Sequence, residues 1–196
     1  MSSTEKALRQ KEIKMRFEKT ITLKDGRECI LKNAAANDTE EVCRTFRQTH
    51  AETDFLLSYP DEINMTVEKE SEYLSKKEES ENEIEICAFI DGKIVGTAGV
   101  SAVGGKCKTK HRAEFGISVE KAFWGLGIGR ALTEACIECA KNAGYEQLEL
   151  DVVSDNIAAI NLYKSFGFIE YGRNPKGFHS RISGWQELVL MLLPLR

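Results

Sequence analysis

Apolar and polar residues alternate in two short runs near the start of the chain, FEKTITL and ECILK, separated by Lys24-Asp25-Gly26-Arg27. Asp-Gly between alternating runs is a strong turn signal, so the pattern predicts two paired strands between Phe17 and Leu31. Asn37 followed three residues later by Glu40 reads as a capping box, opening a helix that ends near His50. A second helix is expected from Thr66 to Glu79, with the charged run Lys76 to Glu85 as its solvated end and loop. IEICAFI, the turn Asp91-Gly92 and KIVGTAGVS predict another hairpin, and Arg112 to Val119 a further strand beyond the Gly104-Gly105 loop. The period then changes. Leu132, Cys136, Cys139, Ala140 and Ala143 fall at i, i+4, i+7, i+8 and i+11, one face of a half-buried helix, and Gly144 stands where a left-handed C-terminal cap belongs. Gln147 to Val153 reads as a strand, Asn156 to Phe166 as a helix stopped by Gly167, FIEYGR as a strand and WQELVLMLL as a closing strand. This order predicts one α+β domain around a mixed sheet over residues 17–196, behind an amino-terminal tail or helix over residues 1–16.

Composition narrows the class. With 196 residues, 42% hydrophobic and 30% charged, the chain suits a single soluble domain able to bury a core without staples. The opening MSSTEKALRQKEIKMRF has no apolar run, so neither a secretory signal nor a membrane anchor is expected, and the cytoplasm is the predicted location. Six cysteines without framework spacing read as reduced thiols. Cys136 and Cys139 form C-x-x-C on the apolar stripe of a helix and read as core residues, with no metal expected. A net charge of -4 offers no basic patch for nucleic acid, and no membrane partner is expected.

Candidate chemistry begins in SVEKAFWGLGIGRALTEACIECAKNAGY, Ser118 to Tyr145, where Gly125, Gly127 and Gly129 alternate with bulky residues and run directly into the amphipathic helix. A strand feeding a glycine turn and a helix N-terminus presents unpaired N–H groups and the positive end of the helix dipole, an anion cradle that side chains would block. A dinucleotide fingerprint, G-x-G-x-x-G, fails because Arg130 stands at its third glycine. A Walker A loop fails for want of Gly-Lys-Ser/Thr, and the preceding strands are hairpin-linked where both nucleotide folds begin from parallel strands.

WGLGIGRAL resembles the acetyl-CoA pyrophosphate loop of the GNAT N-acetyltransferase superfamily, Gln/Arg-x-x-Gly-x-Gly/Ala, with Trp124 where Gln or Arg often stands. SDNIAAINLYKSFGF resembles that family's second signature, Asn-x-x-Ala-x-x-x-Tyr-x-x-x-Gly-Phe, and the order of elements agrees from about Glu28 to Leu193. The resemblance implies an α/β/α layer around a central mixed, mostly antiparallel sheet, splayed at the acetyl-CoA site. It assigns the pyrophosphate to Trp124, Gly125, Leu126, Gly127, Ile128, Gly129 and Arg130, and the pantetheine arm to the backbone of Ile117 and Val119. Asn156 and Ala159 would contact the cofactor, and Tyr163 would protonate the thiolate as CoA leaves. Asn156 and Tyr163 lie seven residues apart, two turns or roughly 10 Å along one helical face. Asn156 also reads as a helix cap, and Tyr163 also as a core residue.

An amine acceptor must lose a proton before it attacks, because an alkylammonium with a pKa near 10 is charged at neutral pH. Glu114 is the candidate base: strand alternation puts it on one polar face with Arg112, Gly116 and Ser118, near where the acetyl group would sit. Glu149 and Asp151 are alternatives on the next strand. Glu52 to Glu62 lies where the family builds its acceptor pocket, and Tyr59, Asp61 and Glu62 are candidates to hold a cationic amine. The resemblance implies acetyl-CoA-dependent N-acetyl transfer by direct attack, with a small-molecule amine as leading acceptor and a protein N-terminus or lysine as alternative. A CoA-binding sensor without turnover is the reading from another class, and a homodimer is compatible with the sequence.

Overall fold

The computed structural model describes residues 14–64 and 66–195, so most of the tail or helix expected over residues 1–16 lies outside the described residues. The strands are β1 (Glu18–Thr22), β2 (Glu28–Asn33), β3 (Ile84–Ile90), β4 (Lys93–Ala102), β5 (Arg112–Val119), β6 (Gln147–Val153), β7 (Ile169–Ser180) and β8 (Gly184–Pro194). The helices are α1 (Thr39–Glu52), α2 (Val67–Glu79), α3 (Ile128–Asn142) and α4 (Ile157–Ser165). One sheet runs in the order β1-β2-β3-β4-β5-β6-β8-β7, antiparallel at every junction except β5–β6. The β3–β4 turn has positive φ at both Asp91 (49°) and Gly92 (78°), the backbone that a two-residue hairpin needs to match the strand twist.

Strand alternation divides the core. Ile84, Ile86, Ala113, Phe115, Leu148 and Leu150 point to one face and bury against Leu132, Cys136 and Ala140 of α3 and Ile160 of α4. Cys87, Phe89 and Ile94 point to the other and bury against Val42 of α1 and Leu74 of α2. Gly144, with φ of 80°, ends α3 as its position in the sequence predicts. The layers are therefore helix, sheet, helix.

Two local expectations fail. The capping box of Asn37 and Glu40 does not form, because a 3-10 turn over Ala36–Asp38 precedes α1. Within that turn Asp38 accepts from the Ala35 N–H at 2.9 Å, and the Thr39 hydroxyl donates to the Ala36 carbonyl at 2.5 Å. Strand β7 runs on past FIEYGR to Ser180. Pro175 sits inside it at no cost to the sheet, because β7 is an edge strand and its register shifts between Asn174 and Phe178.

The parallel junction positions the site. β5 and β6 pair only from Arg112–Gln147 to Glu114–Glu149, and beyond that the strands part. Hydrogen bonds from Val103 N to Arg112 O and from Glu120 N to Val95 O bracket the β4–β5 ladder, so its even-numbered β5 residues bond to β4. The backbone groups of Ile117 and Val119, beyond the last paired residues, consequently face the split.

Candidate active site

The glycine turn presents bare backbone at the mouth of the split. Gly125 has φ of 78° and Gly127, the N-cap of α3, has φ of 105°; both lie in the region L side chains rarely adopt, and the space where a Cβ would stand is open beyond the adjoining backbone. The first intrahelical bond runs from Ala131 N to Gly127 O at 3.1 Å, leaving the amides of the first turn, including Ile128, Gly129 and Arg130, without helical acceptors. The loop is tied on two sides: Trp124 Nε1 donates to the Val119 carbonyl at 2.6 Å, and Lys24 N donates to the Leu126 carbonyl at 3.2 Å. The Trp124 indole thus takes up one of the backbone carbonyls facing the split. Arg130 is exposed and bonded to Ser165 at 3.0 Å, which ties the start of α3 to α4.

A cavity of about 420 Å³ occupies the split. On its α3–α4 side stand Trp124, Gly125, Gly129, Asn156, Ala159 and Tyr163; its floor is the parted strands, including Ile117, Val119, Leu150 and Val152. Asn156 is the cap of α4, accepting from Ala159 N at 3.2 Å, as one of its sequence readings expects, and it also lines the cavity. Tyr163 is 7% exposed. Its ring packs edge-on against Phe115 at 6.0 Å and tilted against Phe168 at 5.7 Å, so two aromatic neighbours fix its direction. Its hydroxyl has no hydrogen-bond partner among the described residues, and burial raises the phenol well above its usual value.

The opposite side of the cavity is formed by Thr49 of α1, Thr53 just past its end, the loop Phe55, Leu56 and Leu57, Ser118 of β5 and Phe178 of β7. Glu114 is exposed and lies outside this lining. Glu149 is buried and held by Arg112 at 2.5 and 2.6 Å and by Gln147 at 2.8 Å; those bonds, led by Arg112, keep its carboxyl below the ordinary value. Asp151 is also exposed but lines the cavity, and partial desolvation together with the charge of Glu149 raises its carboxyl.

Tyr59, Asp61 and Glu62 also lie outside the lining. Arg181 donates to Asp61 at 2.8 Å and to Glu62 at 2.8 Å, and its guanidinium lies 4.4 Å from the Tyr59 ring centre. Their charge is therefore spent on the protein's own cation rather than presented to an amine. The Tyr59 hydroxyl belongs to a network around Asp54, which is bonded to Ser180 at 2.6 Å, Ser183 at 2.8 Å and Tyr59 at 3.2 Å. Burial pushes the Asp54 carboxyl up, and these hydroxyls more than offset it, leaving it below its ordinary value. The network pins the loop carrying Phe55 to Leu57 onto the β7–β8 hairpin, across more than a hundred residues that no local pattern connects. Cys136 and Cys139 are buried core thiols raised by desolvation, and His50 is buried with Nδ1 2.7 Å from the Phe46 carbonyl.

Comparison with known proteins agrees with this geometry. The model of the Acetyltransferase (GNAT) family matches residues 46–168, more than half of the chain. The L-amino acid N-acetyltransferase AaaT of Escherichia coli strain K12 is 27% identical over 150 residues, covering 76% of this chain and 88% of that protein. A ribosomal protein bS18-alanine N-acetyltransferase from the same strain is 35% identical over 81 residues, 41% of this chain and 54% of its own length, so the match spans about half of that relative. The crystal structure of a GNAT-family acetyltransferase from Streptococcus pneumoniae superposes with a TM-score of 0.81 at 29% identity, covering 85% of this chain and 99% of that one. The chain belongs to the GNAT acetyltransferase family and is an acetyl-CoA-dependent N-acetyltransferase. Among the described residues, no helix is long and apolar enough to cross a membrane.

Proposed function

We propose that the protein transfers the acetyl group of acetyl-CoA to the primary amine of a small molecule in the cytoplasm, by direct attack and without an acylated enzyme. The observation that carries this reading is the cavity through the sheet, with Tyr163 on one wall and a separate loop-lined approach on the other. The residues present fit acetyl-CoA: the open left-handed glycines at the start of α3 suit the pyrophosphate, and the β5 backbone facing the split suits an extended amide-bearing arm.

Acetyl-CoA supplies the acyl thioester. The chain's residues do the rest. The first-turn amides of α3 neutralise phosphate charge without a cationic side chain. Ile117 aligns the arm along β5, and Asn156 and Ala159 leave a small-walled path along α4 toward Tyr163. The buried phenol keeps its proton in the ground state. The burial that raises it also raises a thiolate formed beside it, so the hydroxyl stabilises the departing sulfur by a hydrogen bond that passes into proton transfer.

The extent of the match to an amino acid acetyltransferase, 76% of this chain, supports a small acceptor. The shorter match to a ribosomal-protein acetyltransferase supports a peptide N-terminus as the second reading. The test is thiol release from acetyl-CoA across small amines and short peptides, with the acetylated product identified by mass spectrometry. Turnover restricted to peptides would transfer the assignment to the second reading.

A further inference from the structure

Two segments far apart in sequence make the cavity wall opposite α3 and α4. The chain leaves α1 at Thr53 and carries Phe55, Leu56 and Leu57 to the lining, and β7 brings Phe178 to it from the β7–β8 hairpin. Among the described residues no backbone–backbone hydrogen bond joins the two segments, so side chains set the distance between Phe55 and Phe178.

The residue that joins them is Asp54, next to Phe55. One carboxylate oxygen accepts from the Ser180 hydroxyl at 2.6 Å, the Ser183 hydroxyl at 2.8 Å and Gln186 Nε2 at 3.3 Å. The other accepts from the Tyr59 hydroxyl at 3.2 Å, and the Asp54 backbone carbonyl accepts from Gln186 Nε2 at 3.1 Å. Donors and acceptors are matched. Ser180 Oγ receives the N–H groups of Ile182 at 2.9 Å and Ser183 at 3.0 Å, which occupy its lone pairs and direct its proton to Asp54. An ionised carboxylate, which only accepts, completes this arrangement.

A second connection lies outside the first: Arg181 of the hairpin bonds to Asp61 and Glu62. Its three side chains are 53%, 68% and 47% exposed, and exposed pairs are screened by salt and contribute little. Ser180 and Gln186 are each 7% exposed, and hydrogen bonds to a charged acceptor away from water are the strong ones. The inner connection therefore dominates.

We propose that Asp54 is a positioning residue for the acceptor: it locks the Phe55–Leu57 wall against the Phe178 wall, so that the amine meets a preformed aperture. This rests on the reading of the loop-lined side as the acceptor's approach, and it applies to a small amine and a peptide N-terminus alike. A loose wall would have to be ordered each time an acceptor bound, which weakens binding without touching the chemical step. The glycine cradle, Ile117, Asn156 and Tyr163 stand on α3, β5 and α4, outside this network, so acetyl-CoA binding is independent of the lock.

The experiment compares wild type with Asp54→Ala, Asp54→Asn and Arg181→Gln. Limited chymotrypsin digestion, with cleavage sites mapped by mass spectrometry, reads the wall directly, because a fastened segment resists cutting after Phe55, Leu56 and Leu57. Thiol-release kinetics use phenethylamine, phenylalanine and an alanyl tripeptide, the fastest in wild type serving as probe. In Asp54→Ala, cleavage after those three residues should quicken about tenfold or more, and the probe's KM should rise by about the same factor. Its kcat, the KM for acetyl-CoA and the melting temperature should stay near wild type. Asp54→Asn should fall between the two, since its carbonyl can still face Ser180 and Ser183 while its amide donates to the Tyr59 oxygen. Arg181→Gln should change either readout by no more than about twofold.

Digestion of Asp54→Ala at the wild-type rate overturns the proposal, as does a probe KM that rises as much in Arg181→Gln as in Asp54→Ala. Digestion reads the lock without turnover, so its failure is separate from that of the acceptor assignment. Quickened cleavage with a raised KM for acetyl-CoA and an unmoved probe KM would overturn the reading of this side as the acceptor's approach, and this inference with it.

Discussion

Replacing Tyr163 by phenylalanine separates chemistry from packing. The ring contacts to Phe115 at 6.0 Å and Phe168 at 5.7 Å survive in Tyr163→Phe, and the lost hydroxyl has no protein partner among the described residues to leave unsatisfied. Folding stability should therefore change by no more than about 0.5 kcal/mol, whereas truncation to alanine would cost roughly 3–5 kcal/mol through the cavity it opens. Catalysis has a different scale. A positioned proton donor is worth about 10²–10⁴-fold, or roughly 2.7–5.5 kcal/mol in the barrier. Single-turnover thiol release, with enzyme in excess over acetyl-CoA at saturating amine, reads the chemical step free of product release. The expected result is a rate lowered by about 10² or more, with acetyl-CoA affinity and melting temperature near wild type. A Tyr163→Phe protein with an unaltered single-turnover rate would refute the reasoning, because a core tyrosine loses nothing in chemistry when its hydroxyl is removed.

Gly127→Val places a branched side chain at φ of 105° on the mouth of the cradle, so calorimetric titration should show acetyl-CoA affinity reduced more than tenfold in protein that still melts cooperatively; unchanged affinity would show that this backbone binds nothing. Burial pushes the Glu85 carboxyl up from 4.5 to about 7, with Lys77 pulling it down and Glu70 pushing it up; the folded state keeps a proton the unfolded chain has lost, and stability falls as pH rises through that window by about 3 kcal/mol in all. Glu85→Gln should accordingly melt above wild type at pH 8 and level with it at pH 4, and a difference independent of pH contradicts this.

What was legible in the sequence was local. Asn156, Ala159, Tyr163 and Gly167 sit on one helix and its cap, and Gly125 to Arg130 on one turn, so spacing alone fixes their relation. The α3 stripe was readable for the same reason. The split was not, because it depends on where β5 and β6 cease to pair, a property of two strands separated by α3. Tyr59 and Glu62 were expected to face an amine because Arg181, which takes up their charge, lies 119 residues or more away in sequence. Glu114 and Asp151 illustrate a finer limit: both alternate onto the same polar face, but Glu114 stands where the strands still pair and Asp151 where they have parted.

Amide hydrogen exchange at Ile117, followed with and without acetyl-CoA, tests most directly whether the parted strands are the cofactor site. The ladder register turns that N–H toward the split while Gly116 and Ser118 bond to β4. Saturating acetyl-CoA should slow exchange at Ile117 by tenfold or more beyond any change at its two neighbours, and ATP at the same concentration should not. An Ile117 amide that exchanges at the same rate in acetyl-CoA-saturated protein would contradict the account.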